Sequence, residues 1–263
     1  LTPEEICYIV ENCEAKVVVC DAIFSDFFKE IKKNLPEVIL MAADGENSSA
    51  LPFMETIQKY DDSDISDPIA GRSMLYTSGT TGRPKGVFRK ENPPPSQTEQ
   101  LTLETAAFNP EEDFSICPGP AYHAAPLGLN INPSLMSGVG VYLMDKWDAE
   151  KMLSLISEYE CTHTHMVATM FHRILRLPEE TRSKYDISSL RWILHGAAPC
   201  PVEVKQAMID WMGPIVYEYY AATEGGGCFI QPEEWLKKPG SVGKANEGTE
   251  VKILDEDFKE VDP

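Results

Sequence analysis

The sequence predicts an α/β protein with mostly parallel sheets, and three observations carry that prediction. Near the N-terminus a strand, a helix and a second strand follow in a βαβ rhythm, which implies parallel pairing. Farther along, short apolar runs keep alternating with stretches of helical periodicity, and no internal repeat interrupts them. The loops rich in glycine and threonine come directly after strands, where open α/β sheets bind ligands at their carboxyl ends.

The elements can be justified in order. Thr2-Pro3-Glu4-Glu5 is a capping box with proline at the first helical position, and Ile6, Ile9 and Val10 continue at helical spacing. Residues 16–20 (Lys-Val-Val-Val-Cys) predict a short buried strand, residues 22–33 a helix and residues 38–41 a second strand. The acidic, polar stretch 61–68 reads as a solvated connector ahead of a strand over 73–76. Pro93, Pro94 and Pro95 exclude a helix interior. A strand is expected over 138–144, and then a helix capped by Asp148 with Met152, Leu153, Ile156 and Tyr159 on its apolar face. An alternating strand over 162–167 leads into a helix over 170–177 that stops at Pro178. Strands over 190–194 and 215–219 flank a helix opened by Pro201, and a strand is expected from Val251.

Composition narrows the function classes. Apolar residues at 43% and aromatics at 9% suit a folded core rather than a disordered chain, and 263 residues suit one large or two small domains. A net charge of −19 argues against nucleic acid or an anionic membrane as partner, since either polyanion would repel it. No apolar run approaches a membrane span and no signal peptide is visible, so the expected location is cytoplasmic. The seven cysteines, at 7, 13, 20, 117, 161, 200 and 228, contain no Cys-x-x-Cys pair and read as reduced thiols. The chain starts on Leu1 and ends just after a lone strand, so a fragment truncated at both ends is expected.

Residues 75–86, Leu-Tyr-Thr-Ser-Gly-Thr-Thr-Gly-Arg-Pro-Lys-Gly, carry the most chemistry. The hydroxyls of Thr77, Ser78, Thr80 and Thr81 are interleaved with Gly79, Gly82 and Gly86, and Lys85 closes the run. Glycine lets backbone N–H groups approach an anion, hydroxyls add neutral donors, and lysine adds a point charge suited to phosphate. The spacing is not that of a Walker A loop, because Pro84 and Gly86 break the Gly-Lys-[Ser/Thr] order. A polyphosphate cradle is the reading.

The string resembles the phosphate loop of the adenylate-forming superfamily of acyl-CoA synthetases, luciferases and peptide-synthetase adenylation domains. The resemblance continues in order through Pro118–His123, Val167–Thr169, His195–Pro199, Tyr220–Glu224 and Pro239–Gly243, which covers most of the chain and is similar in type to fatty-acyl-CoA synthetases. It implies a layered αβαβα adenylation core. Residues 1–263 would be part of the large N-terminal domain, with 1–70 a βαβ segment and acidic linker and 71–263 the nucleotide- and acyl-binding segment. The family's ribose-binding aspartate motif and its C-terminal lysine domain would lie beyond Pro263.

The same resemblance implies roles for individual residues. Thr77, Ser78, Gly79, Thr80, Thr81, Gly82 and Lys85 would hold the phosphates of ATP. Gly196, Ala197, Ala198 and Pro199 would face the adenine, Tyr220 and Ala221 would flank it with the Tyr220 ring stacked, and Thr223 would contact the α-phosphate. Glu224 would hold Mg²⁺, and His123 would contact the substrate carboxylate and gate the acyl tunnel. Two positions depart from the pattern: Ala168 stands where proline is usual and Ala221 where glycine is usual. The implied reaction joins a carboxylic acid to AMP and then to CoA. Leu127, Leu129 and Ile131, with Ala124, Ala125 and Gly128, point to a fatty or bulky hydrophobic acid. An adenylation domain that loads a carrier protein and a catalytically silent nucleotide-binding fragment remain alternatives, and the oligomeric state stays open. His163, His165 and His195 read as structural rather than as metal ligands or bases. No Gly-x-Ser-x-Gly elbow supports a serine nucleophile.

Overall fold

The computed structural model describes residues 1–68, 71, 73–77, 82–88 and 97–261, and the chain divides into two units, Leu1–Asn92 and Pro93–Pro263. In the first unit, the Thr2 side chain accepts from the Glu5 amide while Glu5 reaches back to the Thr2 amide, so α1 (Pro3–Asn12) starts at the expected capping box. Strands β1 (Val17–Cys20), β2 (Ile39–Ala42) and β3 (Leu51–Pro52) form a parallel sheet in sequence order. Helix α2 (Ser25–Asn34) makes the β1–β2 crossover, and a short α3 (Phe53–Ile57) follows β3. Val10 from α1 and Phe28 and Ile31 from α2 pack with Leu40 and Ala42 on one face of this sheet.

The other face differs from expectation. Val17, Val19, Ile39 and Leu51 are each between 44% and 49% exposed, so β1 is half-buried rather than buried. A continuous apolar run signals a strand covered on both faces, and the helices of this unit cover one. A two-stranded antiparallel ladder, β4 (Leu75–Thr77) with β5 (Lys85–Val87), completes the unit. The connector over 61–68 is exposed and carries no regular element. Pro93, Pro94 and Pro95 lie outside the described residues.

The second unit starts with α4 (Gln97–Ala106) and β6 (Phe114–Cys117). After β6 come a helical turn α5 (Ala124–Pro126), a π-helical turn at Leu127–Ile131 and α6 (Asn132–Met136). The chain then runs through β7 (Gly140–Leu143), α7 (Ala149–Tyr159), β8 (His163–Met166), α8 (Ala168–Leu175) and α9 (Glu179–Arg182). It ends with β9 (Trp192–His195), α10 (Val202–Met212), β10 (Val216–Ala222), β11 (Gly225–Ile230), α11 (Pro232–Lys237) and β12 (Lys244–Ala245). The sheet order is β12-β11-β10-β9-β8-β6-β7; β7, β6, β8, β9 and β10 are parallel, and β11 and β12 are antiparallel additions.

Each face of this sheet has its own cover. Met152, Leu153 and Ile156 of α7, Phe171 and Ile174 of α8, Met208 of α10 and Trp235 of α11 pack over Ile116, Met166, Ile193 and Val216. Ala106 of α4 and Ala125 and Leu129 of the α5 region pack over Trp192, Leu194, Tyr219 and Phe229. Strands β8 and β9 are therefore buried at every residue, and the burial alternation expected over 162–167 is absent because both faces are covered. Asp148 caps α7 by accepting from the Lys151 amide, as predicted. Tyr159 ends 43% exposed rather than on the buried stripe, beside the left-handed Glu160 that terminates the helix. The strand expected from Val251 is reduced to one bridge, Leu254 to Glu260.

Two of the buried histidines, His163 and His165, have hydrogen-bonding partners. His163 donates from Nε2 to the Ala106 carbonyl at 2.9 Å, which leaves Nδ1 to accept from the Thr162 hydroxyl at 2.7 Å. His165 Nε2 lies 3.0 Å from the Tyr219 hydroxyl. Burial drives His163 down to about 4 and His165 down to about 3. Unfolding exposes both imidazoles to a pKa near 6.5, so the unfolded chain binds more protons between about pH 6.5 and 4, and stability falls as pH drops through that window. Each histidine should remove about 2 kcal/mol by pH 5. Melting temperatures measured from pH 7.5 to 5 should fall, and His163→Asn should flatten the curve; an unchanged slope would reject the assignment.

Candidate functional site

The parallel strands place their carboxyl ends along one edge of the second unit's sheet. Four of the motifs singled out in the sequence leave from that edge: Pro118–His123 after β6, Val167–Thr169 after β8, Gly196–Pro199 after β9 and Tyr220–Glu224 at the end of β10. The connection from β6 runs to β7 on one side, and that from β8 runs to β9 on the other, although β6 and β8 are neighbours. Their carboxyl ends therefore mark a topological switch point, where open α/β sheets form a crevice for ligands.

The Tyr220–Glu224 segment differs from a simple loop after a strand. Tyr220 and Ala221 are inside β10, with a register shift between Tyr220 and Ala222, and Thr223 and Glu224 form the turn into β11. Tyr220 is 61% exposed and offers its ring to solvent, and the Glu224 carboxylate is exposed as well. Gly225, Gly226 and Gly227 have φ values of 120°, 73° and 151°, which side-chain-bearing residues rarely adopt. Ala221 is not among the residues with positive φ, so its methyl group sits in the bulge without backbone strain.

Gly196 is required by close approach. A Cβ there would lie 2.6 Å from the Tyr219 carbonyl oxygen and 2.5 Å from its ring. This packing brings the loop Gly196–Pro199 against the strand end that carries Tyr220. Ala197 holds φ at 63°, a left-handed conformation that costs a residue with a Cβ about 1 kcal/mol or more, and Ala197, Ala198 and Pro199 are exposed. His123 is exposed and caps α5, its Nδ1 accepting from the Ala125 amide at 3.3 Å. Leu129 and Ile131 are buried beyond it, and nothing lies within 4 Å of a Cβ built at Gly128.

Val167 precedes α8 with φ −124° and ψ 159°, the extended conformation that a following proline favours. Ala168 is the first helical residue, where proline is well tolerated. Ala168→Pro should therefore raise stability by about 0.4–1 kcal/mol, read as a melting temperature higher by a few degrees. A lower melting temperature would show that the site rejects the ring.

In the first unit, Thr77 and Lys85 face each other as partners across the β4–β5 ladder, at the mouth of the segment between them. Tyr76 donates from its hydroxyl to Asn12 Oδ1 at 2.5 Å, and the Arg83 guanidinium lies 5.4 Å from the centre of the Tyr8 ring, so α1 anchors both ends of that segment. Gly82 has φ 88°, and Lys85 is exposed with no ion-pair partner among the described residues. Ser78, Gly79, Thr80 and Thr81 lie outside the described residues. For a metal, Glu224 has no cluster of three or more ligating side chains around it among the described residues. A lone exposed carboxylate fits Mg²⁺, which is held by one or two carboxylates together with substrate phosphates. Among the described residues no helix is long and apolar enough to cross a membrane.

Two functional candidates escape a reading of the sequence alone. Lys205 on α10 is fully buried, and its Nζ donates to Glu218 Oε2 on β10 at 2.7 Å. The available signal was a single charge inside each of two apolar patterns.

Comparison with known proteins bears on this edge-lined sheet. 4-Coumarate–CoA ligase 1 of Petroselinum crispum is 27% identical over 271 residues, covering 97% of this chain and 48% of the relative. 4-Coumarate–CoA ligase-like 8 of Arabidopsis thaliana is 30% identical over 185 residues, 69% of this chain and 33% of the relative. The chain thus spans about half the length or less of these relatives. ATP-bound MatB from Rhodopseudomonas palustris superposes on all of this chain and 51% of its own, with a TM-score of 0.75 and 26% identity. Apo MbtA from Mycobacterium smegmatis shares the fold with a TM-score of 0.80 at 19% identity. The family model described as AMP-binding enzyme matches residues 1–263, so the chain belongs to the AMP-binding enzyme family.

Proposed function

We propose that this chain carries the adenylation half of an ATP-dependent acid–thiol ligase. The carboxylate oxygen of the substrate attacks the α-phosphorus of ATP and pyrophosphate leaves; the thiol of CoA then attacks the acyl carbon of the acyl-adenylate and AMP leaves. The observation that carries the reading is the set of four motifs on one sheet edge, two of them flanking the switch point between β6 and β8. The relatives named for 4-coumarate and CoA support a CoA acceptor.

The first step separates pyrophosphate from a crowded anion, so positioning and charge neutralisation are what the protein must supply. Lys85, Thr77 and the glycine-rich segment between them take the phosphates. Tyr220 stacks on the adenine along the Gly196–Pro199 loop, and Thr223 takes the α-phosphate. Glu224 would hold Mg²⁺, whose positive charge would offset the negative charge of the phosphates. His123 meets the carboxylate beside the apolar run of Leu127, Leu129 and Ile131, which suits a hydrophobic acid.

The test is ATP–pyrophosphate exchange driven by a panel that includes medium- and long-chain fatty acids and 4-coumarate, followed by thioester formation with and without CoA. Exchange with hydrophobic acids and CoA-dependent thioester formation are expected. Exchange with none of them would reject the reading, and transfer to a phosphopantetheine protein in place of CoA would correct the acceptor. Glu224→Gln preserves size but removes the charge. The Mg²⁺ concentration for half-maximal exchange should then rise by about an order of magnitude, the worth of one contact to a charged group. A Mg²⁺ curve that overlays the parent's would remove Glu224 from this role.

A further inference from the structure

Lys205 occupies a core position of α10, between Val204 and the pair Met208 and Ile209, and its relative exposure is 0%. Its ammonium lies 4.8 Å from the centre of the Trp235 ring of α11 and donates to Glu218 Oε2. The same oxygen is 3.3 Å from His195 Nε2. Neither ring nitrogen of His195 has a hydrogen-bond partner among the described residues, and burial holds its pKa below the usual imidazole value, so it stands neutral beside the carboxylate. Glu218 and His195 are directly opposed across the β9–β10 ladder, and Phe171 meets the His195 ring edge-on at 5.1 Å.

Stability does not account for this cluster. Removing two charges from water can cost more than their attraction returns, and an apolar pair of similar volume would hold α10 on the sheet as well or better. What an ion pair adds is direction, since an ammonium aimed at one oxygen fixes how a helix sits along and around its axis. The chain between His195 and Lys205 is short. His195 ends β9, Gly196–Pro199 follows, and Pro201 opens the helix that carries Lys205. One side of the loop is therefore held by the β9–β10 ladder, where His195 opposes Glu218, and the other by the Lys205–Glu218 pair; Tyr220 follows two residues later in β10, on the same face as Glu218.

We propose that the buried Lys205–Glu218 pair, on the strand whose ladder partner is His195, acts as a clasp that holds the Gly196–Pro199 loop in register with the Tyr220 strand end, with Lys205 and Glu218 as positioning residues. The ligand this register serves rests on the adenylation reading; the clasp itself rests on the geometry. Among the described residues, Glu218 makes its ion pair with Lys205, and His195, whose pKa burial lowers, stands beside the same carboxylate as a neutral imidazole. Burial pushes the neighbouring Cys200 thiol up to about 11, which keeps it neutral. His165, on β8, faces Tyr219 on the other side of the sheet, and Glu203, Glu233, Glu234, His172 and Arg173 are exposed at the helix surfaces.

Amide hydrogen exchange and ATP affinity of the 263-residue chain, measured at pH 6 and pH 8, test the clasp. In Lys205→Met the carboxylate is left without its ammonium. Exchange at 196–198 and 219–223 should rise about tenfold over the parent at pH 8 and return toward it at pH 6, as a proton neutralises Glu218. In Glu218→Gln the sign reverses, with the greater loss at pH 6 and recovery at pH 8 as Lys205 loses its proton. ATP affinity should follow the same opposite signs, while amides of β6 and β8 keep parent rates. The double variant Lys205→Met/Glu218→Leu removes both charges and guards against unfolding of the single ones. It should melt no lower than the parent yet exchange faster than the parent in the two segments by the same factor at pH 6 and pH 8. Parent-like exchange there in the double variant, or acceleration spread over the whole sheet in the single ones, overturns the clasp. A parent chain that binds no ATP would instead reject the adenylation reading, with the exchange data still deciding the clasp.

Discussion

Lys85→Ala is expected to slow ATP–pyrophosphate exchange by about 10²- to 10³-fold, the range found when one preorganised donor to a developing charge is removed. Lys85 is exposed on β5, has no ion-pair partner among the described residues, and pairs through its backbone with Thr77. Its side chain therefore contributes little to folding, and the melting temperature should barely move, since surface substitutions of this kind stay within about 0.5 kcal/mol. Lys85→Arg keeps the charge but replaces a compact ammonium with a planar fork, so it should recover only part of the rate. The decisive measurement is exchange at saturating ATP alongside thermal melting. A variant that exchanges at the parental rate would exclude Lys85 from phosphate chemistry, whatever the loop's composition.

What the sequence made legible was local. Thr2 and Glu5 could announce a helix start because a capping box is satisfied within four residues, and Asp148 could announce another for the same reason. The parallel sheet followed from the alternation of strands and helices. Features that depend on the far side of the chain stayed hidden. Strand β11 begins in Gly225-Gly226-Gly227, residues of low strand propensity, and its pairing with β10 arises because those glycines accept the torsions of a tight hairpin. Tyr220 consequently sits inside a strand rather than after one. Lys205 and Glu218 each read as a polar interruption in an apolar pattern, because thirteen residues separate them in the chain and only the fold brings their charges to 2.7 Å. Val17 and Val19 misled in the opposite direction, since an apolar run states that a strand can be covered on both faces, not that its own unit supplies both covers.

Asp113→Ala should destabilise the second unit by an amount near the lower end of the about 3–5 kcal/mol that follows loss of one partner from a buried ion pair. Asp113 has a buried carboxylate at the start of β6, Oδ1 accepting from Arg191 Nε at 3.2 Å and Oδ2 from both Arg191 Nη2 and the Asn109 amide. Arg191 continues to the carbonyls of Ala106 at 2.9 Å and Ala107 at 3.1 Å, so one guanidinium joins the end of α4 to β6 and β9. The lower end applies because the Arg191 side chain is 41% exposed and water compensates part of the loss. Burial alone would raise the Asp113 carboxyl, but Arg191 and the Asn109 amide outweigh it and hold it below the usual range. A depressed carboxylate contributes stability above its unfolded pKa, about 3.9, and loses it as pH falls through the folded value. The Asp113 arm of acid unfolding therefore lies below about pH 4, beneath the histidine arm. Thermal melts at pH 7, 5 and 3.5 should show the variant far below the parent at pH 7 and the gap closing at pH 3.5. The staple sits at the amino ends of the strands, opposite the edge that carries the candidate site, so exchange activity at temperatures well under the melting point should be retained. A variant with the parent's melting temperature would mean that Arg191 finds enough in the two carbonyls and water, and that the carboxylate is dispensable to the fold.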